Sequence, residues 1–364
     1  MPNYSYLDLF AGAGGWSVGF EAAGYEHARM YDHNESACET AKANFGSVVE
    51  CVDLSRPERL EFPKVDVVVG SPPCQGFSNE GKKNPDDPRN SLVWSFFDII
   101  EKISPKAWVF ENVPGFQRSY RGRWFEAVTS RLNSSGYLWN HFILDAASFG
   151  VPQHRKRFII LASKDFRPVA PAPTHAKNYG LFGERPFVTL WDAISNLPVP
   201  IPGDRDGTFD YPADPKTEYQ RFARAGASKI FNHTAQRHSD RVLNKIMAVP
   251  AGGDMASFMD EYSENAVHYM GGYRRAPKDR PSWTAYWTRG MTSIHPVQDR
   301  FLTPRECARI QSFPDRFRFH GATIENYTQV CNAVPPLLAK AVAGALAEQM
   351  DRAVRRGQHD RAAG

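Results

Sequence analysis

The residues best suited to chemistry begin with Cys74, in the run Ser71-Pro72-Pro73-Cys74-Gln75-Gly76-Phe77-Ser78 after the apolar stretch Val65–Gly70. Two prolines restrict the backbone ahead of the thiol, and Gln75-Gly76 continues a strand poorly. The thiol is thus expected on a rigid bend. A free thiol titrates near ~8.5, so a nucleophilic role needs a neighbour that raises the thiolate fraction. Glu111 is the first polar residue after the apolar Trp108–Phe110, 37 residues beyond Cys74, and is expected beside it at a sheet edge. A third run, Gln153-His154-Arg155-Lys156-Arg157, precedes the apolar Phe158–Leu161. In extended backbone Arg155 and Arg157 share a face, suited to holding a phosphate or polarising a base. Each feature alone is ordinary: a cysteine after a strand is usually an inert small hydrophobe, and a basic run is usually a solvated edge.

A second set points to a nucleoside cofactor. Phe10-Ala11-Gly12-Ala13-Gly14-Gly15 joins an apolar strand to a helix, where glycines let a ligand approach the backbone and the helix N-terminus offers free N–H donors. The spacing is not G-x-G-x-x-G, so a dinucleotide fingerprint is not met. Asp32 closes the next apolar segment, where a carboxylate can bind ribose hydroxyls. Asp53, with Leu54 beside it, follows a third segment (Val48–Val52) and can accept from an adenine amino group. Strand ends in one parallel sheet share an edge, where such sheets bind ligands.

These groups need elements to hold them. Short apolar runs alternate with amphipathic stretches through the first half, predicting β-α-β-α order and a parallel sheet. Strands are expected at Tyr6–Phe10, His27–Tyr31, Val65–Val69, Ala107–Phe110 and Phe158–Ala162, with helices up to about Gly24 and over Glu35–Asn44 and Leu92–Ile103. From about Phe166 prolines recur and periodicity fades, predicting an irregular second domain. Thr303–Ile310 opens with a capping-box pattern, Thr303 and Glu306. Leu337–Met350 is the last clear helix, and RAVRRGQHDRAAG is expected to fray.

Composition sets outer limits. With 364 residues, 42% hydrophobic and 23% charged, the chain can bury a substantial core in two domains. No long uninterrupted apolar run and no signal-peptide pattern are apparent, so a cytoplasmic location with no membrane partner is expected. Five scattered cysteines without C-x-x-C argue against a disulfide framework and a zinc site. A net charge of +4 permits a nucleic-acid partner without requiring one.

The reactive groups fit one reaction. Cytosine C5 is a poor nucleophile, but thiolate addition at C6 gives C5 carbanion character, and a carboxyl group at N3 lowers the barrier. C5 can then take a methyl group from a sulfonium donor. A base inside a duplex must be flipped out to be reached.

At these residues the sequence resembles the DNA (cytosine-5)-methyltransferase family of the bacterial modification type. DLFAGAGGWSVGFEAAGY, Asp32 after MY, VDL at 52–54, GSPPCQGFS, DPRNSL, ENV, QHRKR, RFLTPRECARIQSFPD and NAVPP occur in the family's order from Leu7 to about Leu346. The resemblance implies a Rossmann-like S-adenosylmethionine-dependent methyltransferase fold, α/β, with a smaller irregular target-recognition domain. It implies a catalytic and cofactor domain over 1–165, target recognition over 166–300, and a return segment over 301–364. Cys74 is then the nucleophile and Glu111 its N3 partner, with Arg155 contacting the cytosine or its O2 and Arg157 supporting. Phe10, Gly12, Gly14, Asp32, His33, Asp53, Leu54, Pro73, Leu92 and Asn332 are expected around the cofactor, S-adenosylmethionine, with no metal. Asn79–Ser91 resembles a mobile loop over DNA, with Lys82, Lys83 and Arg89 as its expected DNA contacts; Gln75 and Ser78, just before it, are expected on DNA too. Two departures stand out: Cys331 replaces the glycine usual before Asn-Ala-Val-Pro-Pro, and His33 stands where another residue often stacks on adenine.

In the irregular region Gly271-Gly272-Tyr273-Arg274-Arg275 and Arg280-Pro281-Ser282-Trp283-Thr284 mix glycine, aromatic and basic residues, which suits groove contacts. Arg274 and Arg275 are the candidates there. Expected partners are double-stranded DNA and a cognate restriction endonuclease acting separately, the enzyme itself being a monomer of bacterial or phage origin. The alternatives are a tRNA cytosine-5 methyltransferase, disfavoured by the long stretch before the final motifs, and a catalytically silent DNA-binding homologue.

Overall fold

The computed structural model describes residues 4–73, 91–180, 183–204, 206–253, 273–288 and 290–363, apart from the side chains of 119–121 and 360–363. The chain divides into two units. The first comprises Met1–Asp145, Lys156–Ala172 and Pro336–Gly364; the second comprises Ala146–Arg155 and Pro173–Pro335.

The first unit is built on a seven-stranded sheet in the order β3-β2-β1-β4-β5-β7-β6. Its strands are β1 (Ser5–Leu9), β2 (Glu26–Asp32), β3 (Val49–Cys51), β4 (Val67–Gly70), β5 (Ala107–Asn112), β6 (Leu138–Asp145) and β7 (Lys156–Ser163). The first five run parallel, and β7 inserts antiparallel between β5 and β6. The apolar runs of β4 and β5 are fully buried, as a sheet covered on both faces requires. Leu7, Leu9, Val68, Trp108, Phe110, Phe158 and Ile160 form one core with Phe96 and Ile100. Those two come from α3 (Ser91–Ile103), while α1 is Gly15–Ala22 and α2 is Glu35–Phe45. The predicted strands and helices are all present. Unforeseen in this unit are α4 (Arg123–Ser134) and β6, whose short apolar stretches are interrupted by polar residues.

Cys38 of α2 and Cys51 of β3 form a disulfide, with Cα atoms 5.8 Å apart. The scattered spacing of the cysteines, which argues against a disulfide framework, does not announce this single pair. Cys51 is the register partner of Asp32, and α2 leads back from Asp32 to β3. The two cysteines become neighbours only when that βαβ turn closes.

The second unit contains a two-stranded piece, β8 (His175–Ala176) with β9 (Arg185–Pro186), and the helices α5 (Leu190–Ile194), α6 (Glu218–Arg224) and α7 (Asp240–Ala248). It also takes in α8 (Pro304–Ile310) and α9 (Thr323–Asn332). The expected return segment at 301 therefore begins instead at Pro336, where α10 (Pro336–Ala363) starts. The reason lies in α8, buried throughout and opened by the Thr303–Glu306 capping box. Arg309 forks onto Asp315 (2.9 and 2.6 Å) and reaches the Ala193 carbonyl. Arg305 donates to the Phe231 and Phe317 carbonyls, and Arg300 pairs with Glu306 at 2.7 Å.

In α10 the tail expected to fray is helical to Ala363, with Arg352 and Glu348 one turn apart at 3.4 Å. The 323–359 stretch is apolar enough to cross a membrane by composition, but 67% of its apolar window is buried within the protein. Gly19 lets α10 approach α1: an added Cβ would lie 2.6 Å from the Lys340 amide.

Arg309 is wholly buried and depends on one carboxylate. Asp315→Asn leaves that guanidinium uncompensated and should cost about 3–5 kcal/mol, read from urea unfolding; a loss under about 1 kcal/mol would contradict the assignment.

Candidate active site

Register sets the first-unit site. Leu9 pairs with Tyr31 and Gly70, Gly70 with Phe110, and Asp32 with Cys51. The residues that follow these ends, Phe10, His33, Ser71 and Glu111, therefore lie along one edge. Phe10 (φ 56°), Gly12 (φ 55°) and Gly14 (φ 95°) take left-handed backbone, which L side chains other than Asn and Asp seldom accept. Gly14 caps α1, and an added Cβ there would overlap the Phe45 ring, whereas one at Gly12 would meet nothing within 4 Å. The turn is thus closed behind Gly14 and open at Gly12.

Asp32 fixes this turn, accepting from the Gly12 amide at 2.8 Å and the Asn34 amide at 2.9 Å. A carboxylate has about four lone-pair sites, so capacity for ribose hydroxyls remains. His33 is exposed, with Nδ1 3.7 Å from Asp32. Asp53 is exposed and accepts from the Ser55 amide and hydroxyl, both at 2.8 Å; those bonds hold its carboxyl below the usual range. Leu54 is buried in the sheet core. Pro73 follows Pro72 on the reactive loop, and Leu92 lies in the first turn of α3.

The reactive loop is strapped before it reaches Cys74. The Ser71 amide donates to the Leu9 carbonyl at 3.3 Å, the Trp16 indole N–H donates to Ser71 Oγ at 2.8 Å, and Asn112 Nδ2 donates to the Pro72 carbonyl at 3.3 Å. Sequence reasoning passed over Trp16 and Asn112; their place inside the glycine-turn and ENV motifs was the available signal. Cys74, Gln75, Ser78, Lys82, Lys83 and Arg89 lie outside the described residues.

Glu111 is buried at the end of β5, and Arg157 Nε sits 2.9 Å from its Oε1. Glu111 pairs with Ile159 in register. Arg157, two residues from Ile159, is on the same face and diagonally adjacent. Burial pulls the Arg157 guanidinium down from its ordinary value, and Glu111 opposes that shift.

Arg155 is not in the strand: β7 begins at Lys156, so the shared strand face expected for Arg155 and Arg157 is absent. Arg155 belongs to the second unit, almost wholly buried, and donates to the Cys331 carbonyl at 2.7 Å. Nearby, Gln153 Nε2 donates to Gln311 Oε1 at 2.9 Å and Gln153 Oε1 accepts from the Ala285 amide at 2.7 Å. Asn332 is exposed at the end of α9. Arg275, expected on DNA, is internal: its nitrogens donate to the carbonyls of Val249, His295, Gln298 and Ile246 and to Asp299. Those contacts use all five donors of a guanidinium, so its role is to hold the unit together. Arg274 is half-buried and stacks on the Trp283 ring, 4.2 Å from its centre.

A model of the C-5 cytosine-specific DNA methylase family matches residues 4–348. The Type II methyltransferase M.AgeI of Thalassovita gelatinovora is 33% identical, over 93% of this chain and 97% of the relative. M1.HphI of Haemophilus parahaemolyticus is 35% identical, over 94% and 87%. Among solved structures, one described as a DNA modification methyltransferase encoded within an E. coli prophage superposes with a TM-score of 0.76 at 25% identity, covering 95% of this chain and 99% of that one. The chain belongs to the C-5 cytosine-specific DNA methylase family. Its fold is the Rossmann-like fold of S-adenosylmethionine-dependent methyltransferases, and its activity is that of a DNA (cytosine-5)-methyltransferase.

Beneath the glycine turn, Asp8 is fully buried and accepts from Ser17 Oγ at 2.7 Å. Burial pushes its carboxyl from the usual 3.8 to about 7, against the Ser17 hydrogen bond. Between these values the native state keeps a proton that the unfolded chain has lost, so stability falls as pH rises through the window. Asp8→Asn should remove that slope, gaining on the order of 2 kcal/mol over wild type between pH 5 and 8. Urea unfolding across that range checks it; a pH-independent difference between the two proteins would contradict the assignment.

Proposed function

We propose that the protein methylates C5 of cytosine within a specific double-stranded DNA sequence, through covalent addition of Cys74 to C6 of a flipped-out base. The observation that carries the reading is the Glu111–Arg157 pair at the sheet edge that also bears the open glycine turn and the strapped Ser71–Pro73 loop. The family implies S-adenosylmethionine as cofactor, and the residues suit it. Gly12 leaves room for a ligand against the backbone, Asp32 has acceptor capacity for ribose hydroxyls, and Asp53 can accept from the adenine amino group. When bound, that cofactor supplies an electrophilic methyl group.

In this reading the Cys74 thiolate forms a carbon–sulfur bond to C6. The ring's electrons move toward C5 and N3, where Glu111 holds a proton. Arg157 lies against Glu111 Oε1 at 2.9 Å and fixes the carboxyl's orientation, leaving Oε2 for N3. Once C5 is methylated its proton passes to solvent, N3 returns its proton to Glu111, and expulsion of the Cys74 thiolate restores aromaticity. Arg155, expected at the cytosine or its O2, also donates to the Cys331 carbonyl and so orders the segment before Asn332. Arg274 on Trp283 is the remaining candidate for target recognition in the second unit. The Type II relatives support a role as the modification partner of a separately acting restriction endonuclease.

Transfer of labelled methyl groups to duplex DNA, with bisulfite sequencing of the product, reads base and context together. Cys74→Ser should lower transfer at least ~10³-fold while DNA binding persists, and Glu111→Gln should lower it about 10²–10⁴-fold. Undiminished transfer by the Cys74 variant would sink the mechanism.

A further inference from the structure

We infer that Trp16 and Ser71 form a positioning pair that sets the distance between the cofactor turn and the nucleophile's loop, a role that rests on the reading of Cys74 given above. Trp16 is the second residue of α1, directly after the glycine turn, and its ring is buried with an edge contact to Phe20. Its only hydrogen-bonding group is the indole N–H, a donor, and that donor is directed at Ser71 Oγ, 2.8 Å away. Ser71 precedes Pro72-Pro73-Cys74, so the prolines transmit its position along a stretch with few backbone freedoms.

The neighbouring restraints sharpen the role. The Leu9 carbonyl holds the Ser71 amide from β1 and Asn112 holds the Pro72 carbonyl from β5, so the loop is tied to strands on both sides. Of these three contacts, the Trp16 bond alone ties it to α1. Methyl transfer needs the donor carbon and the activated C5 aligned, and a displacement of about 1 Å can cost ~100-fold in rate. Neither residue touches a reacting atom; both act through what they hold in place. A merely structural indole would matter through its ring, which Trp16→Phe largely keeps.

The test uses the full-length enzyme on duplex DNA containing its target, at saturating S-adenosylmethionine, in single-turnover experiments. Trp16→Phe and Ser71→Ala should each slow transfer roughly tenfold, part of the ~100-fold range above. The double variant should be no slower than either single one, because both remove the same bond. Ser71→Thr, which keeps the hydroxyl, should recover most of the rate, and cofactor affinity should stay within about twofold throughout. Wild-type rates in both single variants, losses that multiply in the double variant, or a loss confined to cofactor affinity would each overturn the pair. Should Trp16→Phe fail to fold, Ser71→Ala and Ser71→Thr carry the test. Dependence of transfer on Cys74 is measured separately, so failure of the nucleophile assignment is distinguishable from failure of this one.

Discussion

A sheet buried on both faces leaves little room for polar chemistry except at its ends, and the rest of the first unit follows from that constraint. The interiors of β4 and β5 are apolar and fully enclosed, and β1 is enclosed with Asp8 as its one charged residue, so register alone decides which residues emerge together. Leu9, Gly70 and Phe110 are in line. Their successors, one a glycine-turn entry, one a reactive loop and one a carboxylate, therefore share an edge although they are far apart in sequence. Packing of α1 against α10 through Gly19 fixes the helix that carries the glycine turn.

Two ion pairs show how charge enters the interior. Glu111 is held by Arg157, and Arg309 by Asp315; a buried charge without its partner would cost several kcal/mol. Asp8 is matched only in part, one of its oxygens having no hydrogen-bond partner among the described residues. It has a hydroxyl donor and no cation beside its carboxylate, and the result is a carboxyl displaced toward neutral pH. The second unit, short of regular structure, relies on arginine forks that satisfy backbone carbonyls where helices and strands cannot. Arg275 and Arg305 are the clearest cases.

The strands and helices around the site were legible because their apolar periodicity is local, and the glycine turn, Asp32 and Glu111 were legible as breaks in it. The Thr303–Glu306 capping box was readable for the same reason. What sequence could not supply depends on long-range pairing. The Cys38–Cys51 bond requires the β2-α2-β3 turn to close, and Arg157 reaches Glu111 only through antiparallel β5–β7 register. Arg275 looked like a DNA contact because its neighbours are glycine, aromatic and basic. Its true partners, from Ile246 to Asp299, are distant carbonyls and a carboxylate that no local pattern announces.

The central claim is that chemistry at this edge passes through a covalent bond between Cys74 and the target base. Duplex DNA carrying 5-fluorocytosine at the methylated position tests it most directly. Fluorine at C5 cannot leave as a proton does, so the bond to the enzyme, once formed and methylated, cannot be released. The account predicts a stable protein–DNA complex after addition of S-adenosylmethionine, with the modified peptide containing Cys74. Efficient methylation of ordinary duplex together with no trapped complex, or trapping at another residue, would contradict it.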